Sequence, residues 1–172
     1  EALRQYRLLR GHFWANVHER LPLTTVYMTM LRDPIERTLS QYHYVRRDRS
    51  NAPLFEMVTG MSLEQYLYDE FICEDTLRDL QTRYLAPSGQ PAAGIESAPP
   101  GHLGIEYAKA TLRSCAFVGL TERFDDSLRL LAHTFHWRPI AQFEHRNATA
   151  ARTQRQDLAP HLLGRIRGLN QN

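Results

Sequence analysis

The segment TTVYMTMLRDPIERTLSQYHYVRR, residues 24–47, carries the clearest structural instruction in the chain. Thr24 to Leu31 is rich in β-branched and apolar residues, as a buried strand requires. An Arg-Asp-Pro turn follows at 32–34. Asp33 is a suitable N-cap, Pro34 suits the first helical position, and Glu36 stands where a capping box places its partner. The helix that begins there carries Ser40 in its second turn. Arg32 therefore stands at the C-terminal end of a strand, beside a helix N-terminus. Such a place attracts anions: unbonded N–H groups and the helix dipole face outward, and Arg adds a forked cation. In open α/β sheets, ligands settle at strand ends. The turn reads as a phosphate site. The alternative is a plain structural turn in which Arg32 only pairs with Asp33 or Glu36.

Outward from this unit, Glu1 to about Arg20 has Leu3, Tyr6, Leu9 or Arg10, and Phe13 about one turn apart, which predicts a helix interrupted at Gly11. Residues 47–60 are polar and turn-rich. Ser62 and Gln65 form a capping box that opens a helix to about Cys73, and a second helix covers about Glu74 to Leu85. Residues 87–104 are a long Pro/Gly-rich loop, of the kind that serves as a lid, a binding loop or a disordered segment. Ile105 to Ser114 is helical, Cys115 to Leu120 is a short apolar strand, and Thr121 to Phe135 is a strongly patterned helix. Within it, Leu128, Leu130, Leu131 and Phe135 are expected in the core. A basic loop at 144–157 precedes a last helix to Leu169. Strands separated by helices predict an α/β fold: three layers, α/β/α, around a mainly parallel sheet. Two secure strands are few for such a sheet, so a first βα unit is expected upstream of Glu1.

A chain of 172 residues fits one domain, here 1–172. Lys+Arg 21 against Asp+Glu 19 gives a net charge of +2, too balanced for a general nucleic-acid binder. Nearly all the cations are Arg, and Lys109 is the only lysine. Arg suits forked recognition of phosphate, sulfate and carboxylate; an Arg-rich genome explains the same bias. Cys73 and Cys115 lack metal-ligand spacing and exclude a disulfide scaffold, though not a single bridge. No apolar run is long enough to span a membrane. The Arg bias and the two isolated cysteines lead to an expectation of a bacterial, cytoplasmic protein.

The motifs together resemble the sulfotransferases that use 3′-phosphoadenosine 5′-phosphosulfate, in the carbohydrate branch that includes heparan sulfate 2-O-sulfotransferase and bacterial relatives. LRDPIERTLSQYHYVRR resembles their 3′-phosphate-binding strand and helix. RGHF at 10–13 resembles the Gly-His segment before it. LQTRYL at 80–85 resembles an Asn-Leu-Gln-Thr-Arg pattern, with Asp79 where Asn is usual. FVGLTERFDDSLRLL at 117–131 resembles a second hallmark block, and HRNATAART with GLNQN resembles the C-terminal loop and last helix. Five segments in the same order cover nearly the whole chain.

The resemblance implies a P-loop nucleotide-hydrolase-like fold and sulfuryl transfer to a hydroxyl, on an oligo- or polysaccharide acceptor. It assigns His12 as general base, a role imidazole suits, with Glu19 a distant second choice. Packing at a helix break is the plainer use of His12. The resemblance assigns Arg32 and Ser40 to the 3′-phosphate, Arg152 and Thr153 to the loop covering the nucleotide, and Gln81 and Arg83 to the acceptor or to ordering the nucleotide. A solvent-exposed helix face serves those last two equally well. Arg46, Arg47 and Arg49 form a cluster that could attract an anionic sugar chain; a solvated face is the commoner use. The donor is 3′-phosphoadenosine 5′-phosphosulfate, the product adenosine 3′,5′-bisphosphate, and no metal is required. The family's Gly- and Lys-containing 5′-phosphosulfate loop has no counterpart here, so residues 1–172 alone are expected to be inactive and the chain to start after that loop. Animal members work in the Golgi lumen. Rival expectations are a non-catalytic nucleotide- or glycan-binding module and a Mg²⁺-dependent phosphotransferase; the second lacks carboxylates to hold the metal. His133 and His136 lack a third ligand, and Asn147-Ala148-Thr149 is a glycosylation sequon.

Overall fold

The computed structural model describes residues 8–11, 15–20, 24–86, 102–138 and 152–171. It is an α/β structure, rich in helix, with one parallel strand pair. The chain divides into two compact units: residues 1–31 with 79–137, and residues 32–78 with 138–171.

In the first unit, β1 (Met28–Leu31) pairs in parallel with β2 (Phe117–Leu120), Met28 opposite Phe117 and Leu31 opposite Leu120. The strand is shorter than the apolar run predicts. Thr24 to Val26 lie outside it, and Val26 is largely exposed; an apolar run becomes strand only where a neighbour accepts its hydrogen bonds. Pairing starts at Tyr27, whose carbonyl accepts from the Ala116 N–H at 2.8 Å. The expected N-terminal helix is not seen in the described residues there. Leu8–Gly11 is non-helical and Val17–Arg20 is a single 3₁₀ turn.

Gly119, opposite Met30, is required by close approach. A Cβ there would lie 2.3 Å from Met30 Sδ and 2.8 Å from a ring atom of Phe117. The thioether tip can yield, but the Phe117 ring is buried. Gly119→Ala is expected to cost about 1–3 kcal/mol. A thermal melt indistinguishable from that of the parent protein would contradict this.

After β2, a 3₁₀ turn at Thr121–Arg123 leads into a helix at Phe124–Thr134. Ser127 joins the helix to the strand: its hydroxyl donates to the Leu120 carbonyl at 3.0 Å and accepts from the Leu120 N–H at 2.9 Å. Thr121 Oγ1 donates to the Leu31 carbonyl at 3.0 Å, closing the end of β1. A stripe through Ser127, Leu128, Leu131, Ala132 and Phe135 is buried or partly buried at helical spacing. Leu130 lies on the far side of that stripe and is exposed, contrary to its expected place in the core.

In the second unit, α1 (Pro34–Val45) packs against α2 (Ala52–Thr59) and against the helix Pro160–Gly168. The polar stretch expected as turns holds α2, because Asn51 caps it through Oδ1 to the Leu54 N–H and Pro53 fits its first turn. Ser62 and Gln65 form the expected box, with bonds of 3.2 and 2.8 Å, and open α3 (Leu63–Tyr68). The helix then breaks: Asp69 recaps a short α4 (Glu70–Ile72), and a wide π turn follows at Cys73–Leu77. Ile35, Leu39, Tyr42, Val58, Tyr66 and Ile166 are at the centre of this unit's core.

At the start of the first unit's second segment, Asp79 adopts φ 44°, ψ 33° and leads into α5 (Leu80–Leu85). The left-handed region is one that Asn and Asp enter most readily. That is the physical sense of an Asn or Asp at this place in the resembling pattern. The remaining helices are α6 (His102–Ser114), α7 (the Phe124–Thr134 helix) and α8 (the Pro160–Gly168 helix). Both cysteines are free.

Candidate anion-binding site

The N-terminus of α1 forms as the sequence predicts. Asp33 Oδ1 accepts from the Ile35 and Glu36 N–H groups at 2.9 and 3.1 Å, and Pro34 brings no N–H of its own. Arg32 immediately precedes the cap. It is half-buried, with its Nε out of reach of solvent. Glu36 does not close a capping box. Its carboxylate pairs with the Arg152 guanidinium, which also donates to the Glu36 carbonyl at 3.2 Å. A partly buried carboxylate gains more from a charged donor than from a neutral backbone N–H. Arg155 reaches Asp33 Oδ2 at 3.5 Å.

Glu36, Ser40 and His43 are spaced four and three residues apart, and so share a face of α1. Arg152 is held at Glu36, and the Thr153 N–H donates to His43 Nε2 at 3.1 Å. The segment 152–153 is thereby anchored on both sides of the half-buried Ser40. Arg152 and Thr153, more than a hundred residues on in sequence, thus reach the helix that Arg32 precedes and that carries Ser40. Arg152 Nε is buried and has no acceptor among the described residues.

His43, which sequence reasoning passed over, accepts through Nε2, so its ring is neutral with the proton on Nδ1. Burial lowers its pKa below the ordinary 6.5, and the charges of Arg152, Arg46 and Arg47 push the same way. The available signal was positional: polar residues one turn to either side of Ser40.

The other predicted residues are placed differently. Arg46 donates to the Tyr42 hydroxyl at 2.7 Å and to the Thr59 carbonyl at 3.3 Å, with its guanidinium over the Tyr42 ring. Arg47 Nε donates to the His43 carbonyl at 3.1 Å, and Arg49 packs over Phe55. All three make local contacts at the end of α1 and in the following turn. Gln81 and Arg83 lie on α5 in the other unit and are partly buried, so neither stands on an open face. His12, the Glu19 side chain, the Asn147 sequon and most of the 87–104 loop lie outside the described residues. His136 has φ 52° beyond the end of α7, so His133 and His136 do not share a helix turn. No cluster of metal-ligating side chains occurs among the described residues, and no helix there is long and apolar enough to cross a membrane.

An Arg before the cap of α1, with further cations gathered along that helix, is an arrangement suited to an anion. Comparison with known proteins narrows the reading. The chain is 31% identical over 169 residues to heparan-sulfate 6-O-sulfotransferase 2 of Danio rerio, covering 84% of this chain and 35% of that protein. It is 29% identical over 164 residues to the 3-B enzyme of the same fish, covering 84% and 39%. It is 28% identical over 155 residues to human heparan-sulfate 6-O-sulfotransferase 1, covering 77% and 37%. The chain is a relative of the carbohydrate sulfotransferases.

It spans between a third and two fifths of the length of these relatives. They bear the 6-O name where the sequence motifs were likened to a 2-O enzyme; the carbohydrate branch is what the two share. No family model and no solved structure matches the chain. The relatives are vertebrate heparan-sulfate sulfotransferases, and this overturns the bacterial, cytoplasmic expectation. An Arg bias and two isolated cysteines do not specify a compartment.

Proposed function

We propose that this chain is one sulfotransferase-like domain, built on a three-layer P-loop-like α/β/α plan. It takes part in sulfuryl transfer from 3′-phosphoadenosine 5′-phosphosulfate to a carbohydrate hydroxyl. The acceptor oxygen attacks sulfur, the bond from sulfur to the bridging phosphate oxygen breaks, and adenosine 3′,5′-bisphosphate leaves. His12 takes the hydroxyl proton as the new S–O bond forms. Arg32 and Ser40 bind the 3′-phosphate, with Arg152 and Thr153 covering the same face. Gln81 and Arg83 serve the acceptor side, and Arg46 and Arg47 draw an anionic chain toward the end of α1. The acceptor class comes from the relatives' names and is a polysaccharide.

The observation that carries this reading is the convergence of Arg152 on the Arg32–Ser40 helix, with a buried guanidinium donor that lacks an acceptor among the described residues. Buried donors are nearly always bonded, and one without an acceptor calls for an explanation. An anion supplies it. The test is thermal stabilisation of the full-length protein by adenosine 3′,5′-bisphosphate against 5′-AMP. A ligand at a hundred times its Kd adds about 2.7 kcal/mol, so a 3′-phosphate site raises the melting temperature more with the bisphosphate. Equal stabilisation by both nucleotides removes the 3′-phosphate role, and stabilisation by neither removes the donor.

A further inference from the structure

The face of α1 that carries Ser40 is bordered by two side chains with a common partner segment. Glu36 binds Arg152 from one side. One turn beyond Ser40, His43 Nε2 accepts the N–H of Thr153 at 3.1 Å. We propose that Glu36 and His43 are positioning residues that clasp segment 152–153 across the Ser40 face, and that the clasp opens when His43 gains a proton.

The chemistry of the second anchor follows from the donor and acceptor inventory. Neutral imidazole offers one acceptor, here used by Thr153. Protonation turns Nε2 into a donor facing a donor, and the bond is lost. The charged form is also placed badly. Arg152 faces the ring from the clasped segment, and Arg46 and Arg47 face it from the end of α1. The ring's aromatic neighbour is Tyr42, edge-on at 5.1 Å. Of the helices packed on α1, α8 carries His161, which faces Glu64 at 3.2 Å, and Arg165, which faces the Leu67 carbonyl at 3.0 Å. Its Arg167 and the Glu56 of α2 are not among the charges acting on His43. Glu36 pairs with Arg152, yet the net push of these charges on the ring's pKa is downward.

The direction of the pH effect is determined by these neighbours. The unfolded chain takes up a proton near 6.5, while the folded ring resists it until lower pH. The contribution of His43 to stability is therefore full above that value. It declines as pH falls through 6.5 toward the lowered folded value. The clasp, a property of the folded state, opens as pH falls through the lowered folded value.

The measurement is the hydrogen-exchange protection factor of the Thr153 amide in the full-length protein without nucleotide. Thr153 is expected to be protected at neutral pH and to lose protection as pH falls through the lowered pKa of His43. His43→Phe removes the acceptor and should cut protection about fivefold or more at neutral pH. His43→Gln keeps an acceptor that does not titrate, so it should restore protection and abolish its pH dependence. Glu36→Ala should lower Thr153 protection through its neighbour Arg152. An unprotected Thr153 in the parent protein overturns the proposal, as does full protection in His43→Phe or the parent's pH dependence in His43→Gln. Should His43→Phe fail to fold, the Gln comparison decides alone.

Only the consequence for affinity rests on the 3′-phosphate reading of this face. A second arm measures adenosine 3′,5′-bisphosphate binding from pH 7.5 to about 5.5 for the parent and His43→Gln, a span that brackets imidazole titration. Ionisation of the nucleotide affects both proteins alike, so a steeper loss in the parent reports the clasp. If Thr153 behaves as expected and no bisphosphate binds, the clasp stands and the nucleotide reading falls.

Discussion

Leu39→Ala is expected to destabilise the protein by about 3 kcal/mol, with a fall of roughly 10 °C in melting temperature. Leu39 is wholly buried, on the face of α1 turned into the core of the second unit. Its neighbours there include Tyr42, Val58, Tyr66 and Ile166, so truncation leaves a cavity that large rings and branched chains close poorly. The cost is the lost transfer energy plus the unfilled volume. Ser40 is the next residue along the helix and faces a different direction, so the substitution acts on stability rather than on the anion site. Chemical denaturation of the two proteins checks it. A difference below about 1 kcal/mol would mean that the core around α1 repacks freely.

Arg32→Ala should weaken binding of adenosine 3′,5′-bisphosphate about 10- to 100-fold while leaving 5′-AMP affinity nearly unchanged. A hydrogen-bonded charged group contributes about 1.5–3 kcal/mol, and each 1.4 kcal/mol is tenfold. The helix N-terminus survives the change, because Asp33 still caps it and Glu36 still holds Arg152. Arg32→Lys keeps the charge without the planar fork, and should fall between the two. Calorimetric titration with both nucleotides gives the answer. Equal affinities in the parent and Arg32→Ala would remove Arg32 from the site.

What could be read from sequence was what neighbours in sequence determine. Asp33 and Pro34 announce the start of α1, and Ser62 with Gln65 announces α3, because caps bond within three residues. The same local grammar was present at Asn51 and Pro53, yet the polar composition around them reads as a turn. Glu36 was misassigned for the opposite reason. Its sequence position fits a capping box, but its partner Arg152 lies 116 residues away. His43 has no local signature, since its bond to Thr153 exists only after the chain folds back. Arg152 and Thr153 were reached through family resemblance, and their arrival at α1 is a tertiary fact.

Ser127 has a further meaning for the sheet. A strand residue turns its N–H and C=O to the same side, and Leu120 gives both to the hydroxyl of Ser127. One side chain thus takes both bonds that an incoming strand would need at that position. Strand pairing through Leu120 is thereby closed, which makes Ser127 a terminator built into the helix.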